Sequence, residues 1–151
     1  MNRLTTFVHK LLIALLIILF TLFYPMLISI YVFLPLFIGV MGYLLILGIE
    51  RGKISYILIS LLYLLNLDIN LSLPLFLVSV VVLFVYTFIY PYLVHLKKCR
   101  VCIPILTVLM IDLLYLGALL AYDFVFQTEN IALDDILFYS LVMDLLVAVM
   151  L

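Results

Sequence analysis

The chain is poor in charge. Seven Lys or Arg and eight Asp or Glu make up 10% of its 151 residues, against 71% hydrophobic. No soluble globular domain has that balance, and the apolar content excludes a disordered chain. Five or six membrane spans would use nearly the whole length, leaving no room for a separate soluble catalytic domain. Cysteine is also scarce, with Cys99 and Cys102 standing alone among Lys97, Lys98 and Arg100. Without a second pair to relay electrons they do not make a membrane thiol oxidoreductase, and His95-x3-Cys99-x2-Cys102 is not a standard metal spacing. Two reduced thiols on the cytoplasmic side are the expectation. A glycine-rich phosphate loop, a Ser/His/Asp set and a nucleic-acid-binding face are likewise missing. The expected protein is no enzyme, and it carries no cofactor and no metal.

What the chain does have is long apolar runs. Basic Met1–Lys10 followed by Leu11–Phe23 resembles a secretory signal, but bulky Tyr24-Pro25-Met26-Leu27 follows where small residues would mark cleavage. The reading is an uncleaved first span. Residues 7–49 as one helix would be roughly twice a bilayer's thickness, so they must fold back, with Pro25 the favoured turn; Pro35 then kinks the second span, or marks its start if the turn lies later. The expected architecture is all-α and polytopic, with six transmembrane helices at about 7–24, 29–49, 54–68, 74–94, 102–122 and 136–151. Pro74 is expected in the first turn of the fourth span, where a missing N–H is harmless. With the N-terminus in the cytoplasm, Arg3, Lys10, Arg51, Lys53, Lys97, Lys98 and Arg100 all fall inside, as the positive-inside rule requires, and both termini are cytoplasmic. Arg51, Lys53 and the Lys97–Arg100 cluster are orientation signals that also suit anionic lipid headgroups. Tyr24, Tyr90, Tyr92 and Tyr122 fall at span ends, where aromatic belts sit.

Two acids interrupt the last two runs. Asp112 lies about halfway between Arg100 and Asp123, and Asp144 lies at comparable depth in the final span. A charge at mid-membrane costs on the order of 2.5–3.5 kcal/mol on insertion scales, so both should face protein or water rather than lipid. No Lys or Arg lies within a span to pair with them. One reading is a proton or cation site. The other is a pair of acids hydrogen-bonded to Tyr115, Thr107 or Ser140 that holds the bundle or a partner helix. Transport sites need interrupted helices, and no interruption is visible in the sequence beside either acid.

The layout from the third span onward resembles the rod-shape-determining MreD family of small bacterial inner-membrane proteins. The stretch Leu62-Tyr63-Leu64-Leu65-Asn66-Leu67-Asp68-Ile69-Asn70-Leu71-Ser72-Leu73-Pro74-Leu75 is similar to the family's span–Asp–turn–span segment, with Asn66 or Asp68 where the family has its Asp. Val108–Leu114 is similar to a family segment with an Asp in the penultimate helix. The family's turn glycines are replaced by Leu73 and Pro74, and no glycine occurs between Gly52 and Gly117. The resemblance implies a multi-pass, non-catalytic scaffold of the cell-elongation complex in the bacterial inner membrane. Its implied partners are the periplasmic coiled-coil protein MreC, the wall polymerase RodA with its transpeptidase, and MreB filaments. Asp112 and Asp144 are then the strongest candidates for polar helix–helix contacts. The alternative is a small solute- or ion-binding transport subunit that uses the same two acids.

Overall fold

A computed structural model describes residues 2–31, 33–95, 101–127 and 131–151, with side chains for 5–31, 33–95, 101–127 and 135–151. Lys97, Lys98, Cys99, Arg100 and Glu129 lie outside the described residues, as do the side chains of Arg3 and Asp134. The described residues form helices and turns without a strand: α1 (Asn2–Ile30), α2 (Ile38–Arg51), α3 (Ile54–Asn70), α4 (Leu77–Phe84), a π-helical turn (Val85–Ile89), α5 (Tyr90–His95), α6 (Cys102–Phe126) and α7 (Ile131–Met150). Three stretches are long and apolar enough to cross a membrane: Thr5–Ile30, Leu77–His95 and Cys102–Phe126. Large apolar side chains exposed along α1, α4, α6 and α7 suit contact with lipid.

The centre of the bundle is α2, which packs against α3, α4, α6 and α7. Its 14 residues reach only ~21 Å, short of a hydrocarbon core. Nearly every position from Ile38 to Gly48 that faces a neighbour is buried. Small residues permit this crowding. A Cβ built on Gly42 would sit 2.9 Å from Val82 and 3.0 Å from Ile111, so the backbones of α2, α4 and α6 approach as closely as glycine allows. At its far end α2 stops on Gly52, whose φ of 63° lets the Lys53 N–H return to the Gly48 carbonyl at 2.9 Å.

The turn expected at Pro25 is not there. Pro25 lies inside α1, and the chain breaks instead at 31–37, around Pro35. A proline within a helix orphans the carbonyl four residues earlier, here that of Thr21. Asn66 on α3 compensates: its Nδ2 donates to the carbonyls of Thr21 at 3.3 Å and Leu22 at 2.9 Å. With that demand met, α1 runs straight through. Pro74 also differs from expectation. It lies in the turn before α4, which begins three residues later at Leu77, and its carbonyl accepts the Leu77 N–H at 3.2 Å. At the other end α6 continues to Phe126, so Asp123 belongs to a helix rather than to the long loop expected at 123–135.

The two breaks are copies of one unit. Residues 21–37 and 60–76 align at a spacing of 39, sharing Leu22/Leu61, Tyr24/Tyr63, Ile30/Ile69 and the run Leu34-Pro35-Leu36-Phe37/Leu73-Pro74-Leu75-Phe76. The backbone conformation recurs at the last position of each. Phe37 has φ 52° and Phe76 φ 66°, both left-handed, and the next helix starts at the following residue in each case. A bulky residue in that region costs on the order of 1–2 kcal/mol, so its recurrence marks a feature held in place by its surroundings. The outgoing helix recurs a third time: Ile59-Ser60-Leu61-Leu62-Tyr63-Leu64 of α3 reappears in α6 as Ile111-Asp112-Leu113-Leu114-Tyr115-Leu116. Thr21, Ser60 and Asp112 hold the same place in these sequence repeats, and all three are buried.

Candidate functional site

The break between α1 and α2 exposes backbone groups that the bundle interior must satisfy, and side chains from α1, α3 and α7 do so. Tyr24 of α1 donates its hydroxyl to the Pro35 carbonyl at 3.0 Å, and Tyr63 of α3 donates to the Leu36 carbonyl at 2.9 Å. The Leu36 N–H donates to Ser140 Oγ of α7 at 2.9 Å. One turn along the same face of α7, Asp144 Oδ2 accepts the Gly39 N–H at 2.8 Å, and the Val40 N–H also points to this carboxyl. Phe37 provides no side-chain cap of its own. Asp144 thus caps α2 from a different helix, with its charge at the positive end of the helix dipole.

Asp112 of α6 completes the group. A Cβ on Gly39 would stand 2.6 Å from Asp112 Oδ2 and 2.7 Å from Oδ1, so this carboxyl lies directly on the glycine's Cα. The carboxyls of Asp112 and Asp144 therefore meet at residue 39. The two acids are 9% and 0% exposed. Both face protein, as their depth required, and they face each other across the N-terminus of α2.

None of the three side chains expected to hold them does so. Thr107 donates to the Ile103 carbonyl of its own helix at 2.7 Å. Ser140 serves Leu36. Tyr115 lies nearer to Asp68, a third buried acid, which sits at the second break with the Phe76 N–H directed at it. Asp68 thus lies beside the start of α4, with both of its oxygens buried and without a hydrogen-bond partner among the described residues. Of the polar pair on the end of α3, Asn66 is spent on the Pro25 defect, and Asn70 Nδ2 braces it by donating to Asn66 Oδ1 at 2.7 Å. Replacing Asn66 with Leu should destabilise the protein by on the order of 1 kcal/mol, the usual worth of one interhelical hydrogen bond in lipid. In a Pro25→Ala background, where residue 25 regains its N–H, the same change should cost measurably less in detergent thermal melts.

The basic residues end the bundle rather than enter it. Arg51 closes α2 and Lys53 precedes α3, both exposed, with the Lys53 ammonium 5.2 Å from the Tyr56 ring. Glu50 beside them accepts the Tyr90 hydroxyl at 2.6 Å, tying the end of α2 to α5. Cys102 is held in a disulfide rather than as the reduced thiol expected.

Reasoning from the sequence missed Tyr24, Tyr63 and Gly39 as parts of one site, and it named Ser140 for a different contact. The signal that marks the first two was present in the repeated Tyr-x10-Pro-Leu-Phe spacing at 24–37 and 63–76. No signal marks Gly39, because its contribution is a backbone N–H and a missing Cβ. No family model matches the chain, and neither a curated protein nor a solved structure matches it.

Proposed function

We propose that this chain is a multi-pass, non-catalytic scaffold subunit of the bacterial cytoplasmic membrane, with six crossings and both termini inside, serving the cell-elongation complex. The observation that carries this reading is the uncovered helix surface. Residues 5–20 of α1 are all exposed; Ile13, Leu16, Ile17 and Phe20 line a groove shared with α2 and α3, and Leu12, Leu15 and Leu19 are exposed beyond it. Helices associate in lipid through packing and a few polar contacts, and such a face is available to a partner's span. Six crossings require residues between α1 and α2 to complete the span that α2 is too short to make. The buried carboxyls are consumed internally, so partner contact falls to the outward faces, and Asp112 and Asp144 support it by holding the bundle together. The partners follow from the MreD resemblance: a coiled-coil MreC-like protein and a RodA-type polymerase with its transpeptidase. Affinity purification in mild detergent with mass spectrometry should recover them, and recovery should fall several-fold when Leu12, Leu16 and Leu19 are changed together to Ala. Purification that never brings down a coiled-coil or polymerase protein removes the reading.

One observation favours a small-solute or ion-binding subunit instead. An interrupted helix whose N-terminus meets buried carboxyls is how many secondary transporters build a site. Under that reading Asp112→Asn abolishes uptake or ligand-dependent thermal stabilisation, whereas a scaffold tolerates it.

A further inference from the structure

The four carboxyl oxygens at the start of α2 do not balance. Asp144 Oδ2 accepts the Gly39 N–H, whereas Asp144 Oδ1 and Asp112 Oδ2 are buried without a conventional donor. Both carboxyls touch residue 39, one through its amide and the other through its Cα, which brings them side by side independently of any hydrogen-bond assignment. Ionised carboxylates only accept and repel each other, so two of them packed against one residue in a dry interior favour a proton shared between them. The hydroxyls of Tyr24 and Tyr63 are committed to the Pro35 and Leu36 carbonyls. The sequence has no Lys or Arg from 11 to 50, 54 to 96 or 101 to 151 that would neutralise the pair from within a helix.

We propose that Asp112 and Asp144 form a proton-binding site that holds a single proton between the two carboxyls, capped by the backbone amides that open α2. The occupied pair carries one negative charge, matched by the positive end of the α2 dipole and the N–H groups of Gly39 and Val40. Loss of the proton would set two charges against one helix end in a dry interior; a second proton would leave those amides facing a neutral acid. The occupied state therefore joins α2, α6 and α7 at one point. This inference depends on the geometry of the pair and stands apart from the scaffold reading.

Infrared spectroscopy of the purified protein in lipid tests it. A protonated carboxyl absorbs above the amide band and shifts in heavy water. The unsubstituted protein should show such a band, and labelling aspartate carboxyls with carbon-13 should move it, a readout that requires no variant to fold. Asp112→Asn and Asp144→Asn should each remove one carboxyl equivalent of intensity, because an Asn amide can donate where the proton sat and the remaining acid stays ionised. Asp68→Asn identifies any contribution from the third acid and should leave the pair's band in place. A band unmoved by carbon-13, or one lost in only one of the two Asn variants, overturns the shared proton. Loss of the band on adding sodium or lithium at constant pH overturns it in favour of a metal-cation site.

Discussion

Replacing Asp144 with Leu should destabilise the folded protein by about 3–5 kcal/mol, the range for removing one member of a buried charged partnership. The substitution leaves the Gly39 and Val40 N–H groups without an acceptor at a depth where water does not reach, and leaves Asp112 against the helix end alone. Asp144→Asn is the informative comparison. Its amide oxygen still accepts from Gly39 and its amide nitrogen can donate to Asp112, so most of the loss should be recovered. Thermal melts of the two variants in the same detergent, followed by size-exclusion recovery, separate the effects. Equal stability for Leu and Asn would mean that the capping of α2 contributes little.

Gly39→Ala comes second in expected size. The added methyl would meet the Asp112 carboxyl at 2.6–2.8 Å, well inside van der Waals contact. Asp is short, and its carboxyl can move only by leaving Asp144, so overpacking and loss of the pair come together. The cost should be about 1–3 kcal/mol or more. The diagnostic is the double variant: truncating Asp112 to Ala removes the clash, so Gly39→Ala should cost much less in that background than alone. Additive effects in this cycle would place the carboxyl elsewhere than on the Cα of Gly39.

The fold was legible where a short-range cause decided it. Apolar run lengths separate most of the helices, Gly52 ends α2, and the depth of Asp112 and Asp144 forces them inward. Legibility failed where the cause lay far along the chain. Pro25 should have turned the chain, and what overrides it is an asparagine on another helix that supplies the donor the Thr21 carbonyl lacks. The interruption that a transport site needs was absent beside either acid in sequence. It is supplied by Pro35 and its neighbours, over a hundred positions from Asp144. A backbone amide has no letter of its own, so the partner that the acids do have was invisible, and Tyr115, Thr107 and Ser140 were nominated in its place. The Leu-Pro-Leu-Phe repeat was readable throughout, and it marks both places where the helices stop short.

The Leu36 amide and the Ser140 hydroxyl that receives it are separated by 104 residues. Synthesis runs from the N-terminus, so α2 emerges from the ribosome long before α7 exists to close its open end. Until then the start of α2 lacks the acceptors that Ser140 and Asp144 provide. Helix α7 is thus the bolt of this assembly, and the nascent chain cannot lock this interior before α7 has been made.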